Sequence, residues 1–427
     1  MKKFLTVFVI MILTLPVFAQ VEHSGDENPI YKSFPGFSVD IASYKSDRDD
    51  KTRVDLFVQV PYQNLQFIKD PEGYRAKYSI HIKFSEKDSE KIAIESTWNE
   101  TVVAKDFSAT ESRSNSNFSV RSFEIAPGKY AMRCEVVDRD SRKNFVIEAT
   151  ATVLKLSDSL SVSDILLVSS IIKDAEGEKL VPNINRRVTT DDSSLPFYLE
   201  VYSDKKRDIK LEYDIKDKEG KKVFVEIVEK EVQPGVNRIV HEIDGAKFSL
   251  GEHVLEAQLK NFELENVANV SKKFISKIAG FPDTITDIEL AVDQMMYIAT
   301  PSELDFITSV DDEETKLKRY RDFWKSKDPS PGTEENEVFI EYYRRIDYAN
   351  SNFGNYFKGW KSDMGMVYIT LGPPSAVERH PFDMGTKPYE IWEYYHINRS
   401  FTFVDNTGFG DYRLTSSPYG DWFKYSQ

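Results

Sequence analysis

The run Val54-Asp55-Leu56-Phe57-Val58-Gln59-Val60 decides the fold of the front of this chain. Successive side chains of an extended strand point to opposite faces, so Val54, Leu56, Val58 and Val60 share one face and Asp55, Phe57 and Gln59 the other. The same period of two recurs in Tyr78-Ser79-Ile80-His81-Ile82-Lys83-Phe84 and in Phe145-Val146-Ile147-Glu148-Ala149-Thr150. Short alternating runs at this spacing, from about Gly36 to Val153, predict an antiparallel β-sandwich. The polar stretch from Ser108 to Asn117 reads as a loop.

Working outward, a second β region extends from about Asp164 to Ile278. It contains Leu195-Pro196-Phe197-Tyr198-Leu199-Glu200-Val201-Tyr202, Leu211-Glu212-Tyr213-Asp214-Ile215 and Val223-Phe224-Val225-Glu226-Ile227-Val228. A short internal repeat links the two regions. Pro127-Gly128-Lys129-Tyr130 precedes a strand ending in Val137-Asp138, and Leu250-Gly251-Glu252-His253 precedes one ending in Lys260-Asn261. Gly128 and Gly251 lie 123 positions apart, about one immunoglobulin-like domain. The single cysteine, Cys134, shares a strand face with Tyr130, Met132 and Val136, which makes it a core thiol with no disulfide partner in the chain.

After Phe281-Pro282-Asp283 the period changes. Ile288, Val292, Met295 and Ile298 or Ala299 mark one apolar helix face, and Leu317, Tyr320, Phe323 and Trp324 another. Pro301-Ser302-Glu303-Leu304-Asp305 reads as a helix start, with Ser302 as cap and Asp305 closing a capping box. A further helix, from about Glu334 to Phe353 with Thr333 as its cap, places Phe339, Tyr342 or Tyr343, Ile346, Ala349 and Phe353 along one side. Strands are expected at Met366 to Leu371, Tyr389 to Tyr395 and Ser400 to Asp405. The expected architecture is therefore two tandem all-β immunoglobulin-like sandwiches, residues 20–157 and 158–280, followed by an α+β domain, residues 281–427.

Residues 1–19 have the layout of a signal peptide. Met1-Lys2-Lys3 is followed by an apolar run to Phe18 and a small residue, Ala19, at the expected cut. Gln20 then stands where a lipid-anchored chain needs cysteine. No later stretch is apolar enough to span a bilayer. The mature chain is expected in the periplasm or at the cell surface. Its formal charge of −14, which becomes more negative when Lys2 and Lys3 leave, argues against nucleic acid and anionic lipid surfaces as partners.

Gly359-Trp360-Lys361-Ser362-Asp363-Met364-Gly365-Met366-Val367-Tyr368-Ile369-Thr370-Leu371-Gly372-Pro373-Pro374 resembles the signature of the GWxTD domain family, with Ser362 at the threonine position and Met364 where a basic residue often stands. The resemblance continues through Phe323-Trp324-Lys325-Ser326-Lys327-Asp328-Pro329-Ser330-Pro331-Gly332-Thr333, Asn336-Glu337, Glu341-Tyr342-Tyr343-Arg344-Arg345 and Tyr348-Ala349-Asn350, about the last third of the chain. In front of it, Val58-Gln59-Val60-Pro61-Tyr62 resembles the family's N-terminal sandwiches. The resemblance implies an exported protein of Bacteroidetes or related bacteria. It implies no biochemical activity.

The residues singled out are Gly359, Trp360, Ser362, Asp363, Arg344, Arg345, Glu341 and Asn350. Glu341 and Arg345 are spaced for an i, i+4 pair worth about 0.2 to 0.5 kcal/mol. Arg344 or Arg345 is expected to reach Asp363 and pin the sheet to the long helix. Trp360 is read as a plug between helix and sheet, with an open stacking platform as the other reading. On the strand from Tyr389, Tyr389 and Tyr395 fall on one face and Trp392 and Tyr394 on the other.

His380 and His396 stand alone, and no HExxH, CxxC, P-loop or GxSxG pattern occurs, so no metal, cofactor or catalytic residue is assigned. Asp405 to Asp411 is read as a glycine turn rather than a calcium loop. Asp158-Ser159-Leu160 and Asp283-Thr284-Ile285 resemble O-glycosylation acceptors, making a glycan on Ser159 or Thr284 a hypothesis. Two functions are carried forward: a non-catalytic envelope module that docks a protein partner through its C-terminal domain, and a polysaccharide-binding or hydrolysing protein using the Trp360 and Asp363 region, with Glu390 or Glu393 as a second carboxylate. The oligomeric state is left open.

Overall fold

The computed structural model of the chain describes residues 36–415, except positions 88, 90, 113–114, 158, 175–176, 262–264, 279–284, 286, 332–335, 355–357 and 382–384. The expected signal segment with its cut after Ala19, the acceptor Thr284 and the cap Thr333 lie outside the described residues.

The chain is mostly β, in several sheets, with a helix-containing C-terminal region. In the front unit, β1 (Ser38–Lys45), β2 (Thr52–Pro61) and β5 (Ser116–Ile125) form one sheet in the order β1-β2-β5. β3 (Gly73–Glu86), β4 (Ile92–Ala104), β6 (Gly128–Asp138) and β7 (Asn144–Val153) form another in the order β4-β3-β6-β7, with the short strand Ile68–Asp70 also on β3. Val54, Leu56, Val58 and Val60 meet Tyr78, Ile80, Ile82 and Phe84 in one buried cluster, together with Tyr130, Met132, Cys134 and Val136. The two-residue period thus sets which face of each sheet turns inward. Between the sheets, Ser108 to Asn117 is not wholly loop: a short helix, Phe107–Glu111, starts on the Asp106 carboxylate, and β5 begins at Ser116.

The second unit repeats this arrangement. β8 (Leu166–Asp174), β9 (Ser194–Ser203) and β12 (Gly235–Asp244) lie in the order β8-β9-β12, and β10 (Arg207–Lys216), β11 (Lys222–Val232), β13 (Gly251–Lys260) and β14 (Asn266–Lys277) in the order β11-β10-β13-β14. Among these long strands the first, second and fifth of each unit share one sheet, and the fourth, third, sixth and seventh the other; the second unit adds short strands, Gly177–Pro182 on β8, Leu160–Val162 on β9 and Arg187–Thr189 parallel to β14. The glycine repeat falls on the same element in both units, since Gly128 opens β6 and Gly251, with φ of 115°, opens β13.

Phe57, on the face of β2 that turns away from the front unit's core, is buried as well. It joins Ala42, Tyr44, Leu166 and Ile184 in a buried cluster where the two units meet. The outward face of β1 and β2 is apolar here because the second unit covers it.

The C-terminal region contains α1 (Ile288–Gln294), α2 (Pro301–Thr308), α3 (Glu313–Ser326), α4 (Glu337–Phe353) and α5 (Asp363–Leu371), then strands β15 (Ala376–His380), β16 (Tyr389–Tyr394), β17 (Arg399–Asp405) and β18 (Tyr412–Leu414) in sequential order. The expected apolar stripes of α1, α3 and α4 form the helical core, with Tyr320, Trp324, Phe339, Tyr343, Ile346 and Ala349 among its members. Among the described residues, no helix is long and apolar enough to cross a membrane.

Three local expectations are corrected. The α2 cap is Thr300, with Pro301 at the first helical position and Glu303 completing the capping box, so the start lies two residues earlier than Ser302. α4 begins at Glu337 on an Asn336 cap. Met366 to Leu371 belongs to a helix, because Ser362 caps the segment and Gly372, at φ of 80°, ends it. α5 lies between two cores: Ile369 packs into the helical cluster, while Met364, Val367 and Tyr368 pack against Trp392, Tyr394, Phe401 and Phe403 of the sheet. A helix buried on both sides shows no polar face, which removes the periodic signal.

Candidate functional site

The motif around Trp360 is a joint between helices and sheet. Gly359 sits so close to α4 that a β-carbon there would lie 2.0 Å from the Ala349 carbonyl oxygen, and one on Gly365 would lie 2.1 Å from the Gly359 carbonyl oxygen. Close approach, rather than unusual backbone torsion, is what both glycines supply. Trp360 is 1% exposed and lies in the helical core, its ring edge-on to Tyr297. Its backbone N–H donates to Asn350 Oδ1 at 3.1 Å and its backbone carbonyl accepts from the Tyr297 hydroxyl at 2.9 Å. The plug is the geometry found, and an open stacking platform at Trp360 is not. Ser362 Oγ accepts the Gly365 N–H at 3.0 Å and donates to the Gly359 carbonyl at 2.7 Å.

Asp363 is not bound by Arg344 or Arg345. Its Oδ2 accepts the Leu414 N–H at 2.8 Å, and Arg413 is the nearby cation at 4.0 Å. Arg345 meets the other end of α5, donating to the Ile369 and Thr370 carbonyls at 3.1 and 3.4 Å. A guanidinium there satisfies carbonyls left open at a helix C-terminus and complements its dipole. Glu341 takes both arginines, accepting from Arg344 Nε at 2.7 Å and Arg345 Nε at 2.7 Å. The Arg344 bond, helped by Arg345 and opposed by burial, lowers the Glu341 carboxyl to about 2. The expected i, i+4 pair is present. The expected arginine pin fails because α4 and α5 run in opposite directions, placing Arg345 beside the wrong end of α5 for Asp363.

Next to this joint lies a cleft of about 680 Å³ between α4, α5 and the sheet. Its walls include Tyr348, Phe353, Tyr368, Trp392, Phe409 and Tyr412. Tyr348 stacks on Tyr368 with ring centres 4.4 Å apart and stays 42% exposed. Phe409 is 77% exposed on a turn held by Asp405, whose carboxylate accepts from the N–H groups of Thr407, Gly408 and Gly410 at 3.1, 2.9 and 2.6 Å. Those donors occupy Asp405 in the manner of a glycine turn, and no cluster of potential metal ligands occurs among the described residues. Around the opening, Arg379 pairs with Glu390 and Arg413 with Asp411, at 3.1 and 3.0 Å. Glu390 also accepts from Trp392 Nε1 at 3.1 Å, so each of its oxygens already has a donor.

On β16, Trp392 and Tyr394 are buried and Tyr395 lies just beyond, 69% exposed, while Tyr389 stacks on His380 at 4.4 Å. The expected division of these aromatics over two faces holds. Sequence reasoning missed Tyr348, Phe409, Arg379 and Tyr412. The available signals were a tyrosine off the apolar stripe of α4 and a phenylalanine between Gly408 and Gly410.

The C-terminal region is thus an α+β assembly built around a Gly-Trp-Lys-Ser-Asp turn. It is a GWxTD domain: residues 260–419 match that family, beginning upstream of the helices, at the end of β13. No curated protein matches the chain. Solved structures with some likeness include red sea bream transglutaminase, 8% identical over 56% of this chain and 31% of that one, with a TM-score of 0.18. A Bacteroides uniformis β-glucuronidase is 13% identical over 54% of this chain and 27% of that one, with a TM-score of 0.20. A calcium-binding mutant of Bacteroides uniformis β-glucuronidase 2 is 11% identical over 52% and 26%, with a TM-score of 0.19. This chain spans under a third of each of these proteins, and likenesses of that size carry no argument here.

Proposed function

We propose that this chain is an exported, non-catalytic envelope protein that docks an extended segment of a protein partner in the cleft of its GWxTD domain. The two front units, read as immunoglobulin-like sandwiches, serve as spacers and further binding faces. The observation that carries this reading is the cleft itself: aromatic walls that suit side-chain anchors, with ion pairs of both signs at the opening. Paired rim charges can exchange partners with the donors, acceptors and charged side chains of a peptide, whereas a polyanion calls for an unbalanced basic surface. In this reading the motif residues position the cleft wall and do not themselves touch the partner.

Crosslinking affinity purification from the native envelope tests it, comparing wild type with Phe409→Ala and Tyr348→Ala. Both side chains are exposed, so the variants are expected to fold while losing one specific protein. Retention of the same partners by both folded variants overturns docking in the cleft. A second reading, a glycan ligand, draws on the exposed faces of Tyr348 and Phe409, which suit sugar stacking. Binding on a glycan array that both variants lose, without any protein partner, favours it.

A further inference from the structure

The joint between the two front units holds a charge cluster that docking does not use. Asp40 on β1 and Lys272 on β14 are 0% and 7% exposed, and Arg186 is 4% exposed. Lys272 Nζ lies 2.8 Å from Asp40 Oδ1 and 3.1 Å from the Ile41 carbonyl oxygen. The Arg186 guanidinium donates to the same Asp40 Oδ1. Among the described residues, Asp40 Oδ2 has no hydrogen-bond donor. Asp164, just ahead of β8, accepts the Ser43 N–H at 2.7 Å and lies within electrostatic reach of Lys272 and Asp40.

We propose that Lys272 and Asp40 condense into a side-chain amide after folding, a covalent bond between the front unit and the second. Lys272 is the nucleophile and Asp40 Cγ the electrophile. Asp164 takes a proton from the Lys272 ammonium and passes it to Asp40 Oδ2, so that a free amine meets a neutral carboxyl. The C–N bond forms as charge builds on Oδ1, where the Arg186 guanidinium already waits as an oxyanion donor. The protonated Oδ2 then leaves as water with a second proton, carried from the amine by Asp164. The balance is one ammonium and one carboxylate in, one amide and one water out, with Asp164 restored.

Each group has the properties its role requires. Burial, followed by the Arg186 charge, lowers the Lys272 pKa and favours the free amine. Burial raises the Asp164 pKa, so its carboxyl can hold a proton. Burial alone would raise Asp40, but Arg186 and Lys272 outweigh it and keep the group ionised until that proton arrives. The fold holds amine and carboxyl at contact distance, replacing a bimolecular encounter with a local one. Loss of Oδ2 as water also removes a buried acceptor that has no partner, an arrangement that is costly to keep. The amide would join residues 232 positions apart, fastening β1 to β14.

The test is the intact mass of the purified, folded, full-length protein, with peptide mapping. The expected result is a mass lower by one water and a branched peptide joining Asp40 to Lys272. Asp164→Asn, which keeps the volume of the side chain, is expected to fold and to carry the full mass; Lys272→Arg is expected to carry the full mass as well. Wild-type protein that stays at full mass after prolonged incubation, with Asp40 and Lys272 in separate peptides, overturns the proposal. A link formed equally fast in Asp164→Asn overturns the role given to Asp164.

Discussion

Leu414 donates its backbone N–H to Asp363 Oδ2 at 2.8 Å, so the last strand of the sheet hangs from the first turn of α5. The same carboxylate sits at the helix N-terminus, where a negative charge is favoured. Asp363→Ala removes both effects and leaves a main-chain donor to find water. The expected loss is about 1 to 3 kcal/mol, concentrated at β18. Hydrogen exchange at Leu414 measures it, and unchanged protection of that amide would contradict the assignment.

Neither Gly359 nor Gly365 has room for a β-carbon. A methyl at either position runs into backbone oxygen, which cannot swing aside as a side chain can. Gly359→Ala and Gly365→Ala are each expected to cost at least the roughly 1 to 3 kcal/mol typical of overpacking. Urea titration of the purified variants reads this directly. A variant as stable as wild type would show that α4 and the motif turn can separate freely.

Trp360 contributes volume rather than polarity, since its indole nitrogen has no hydrogen-bond partner among the described residues. Trp360→Ala is expected to cost about 3 to 5 kcal/mol through the cavity it leaves, and Trp360→Phe clearly less. Equal losses for Phe and Ala would point to an indole hydrogen bond and defeat this reading.

What could be read in advance follows from how each segment is buried. β2, β3 and β6 each present one face to a single core, so alternation located both the strands and the inward residues. Phe57 broke the pattern because its outward face is covered by the second unit, a long-range fact with no local signature. α5 was misread for a related reason: Met366 to Leu371 is apolar on every side because two cores enclose it. The Ser362 cap and Gly372 stop were visible, and they should outweigh periodicity when a short apolar run offers none. Of the site, the eight motif residues were legible as a group. Their partners were less so, because Asp363 is met by a main-chain N–H from 51 residues away, and any residue except proline supplies one.

Glu341 makes acid stability a readout of the α4 arginine cluster. Its folded pKa of about 2 lies below the ordinary 4.5, so the contribution is full above about 4.5 and is lost as pH falls toward 2. Partial exposure weakens the effect through solvent screening. Glu341→Gln is expected to lower stability at neutral pH and to narrow the gap from wild type across that acid window. A gap that stays constant from pH 7 to pH 2 would remove Glu341 as its source.

Cys134 tests whether the front unit opens. Burial, with a smaller push from Glu135, raises its thiol to about 12, and the side chain lies wholly inside the core between the two sheets. Reaction needs the thiolate and needs access, so the folded protein is expected to resist a thiol reagent at pH 8 and to label only as the sheets separate. Cys134→Ser places a hydroxyl in the same dry site and is expected to cost about 1 to 3 kcal/mol, where Cys134→Ala loses only packing. Mass spectrometry over a labelling time course decides the matter. Rapid modification of the native thiol, at a rate independent of added urea, would mean that β6 does not hold its inward face against the opposite sheet.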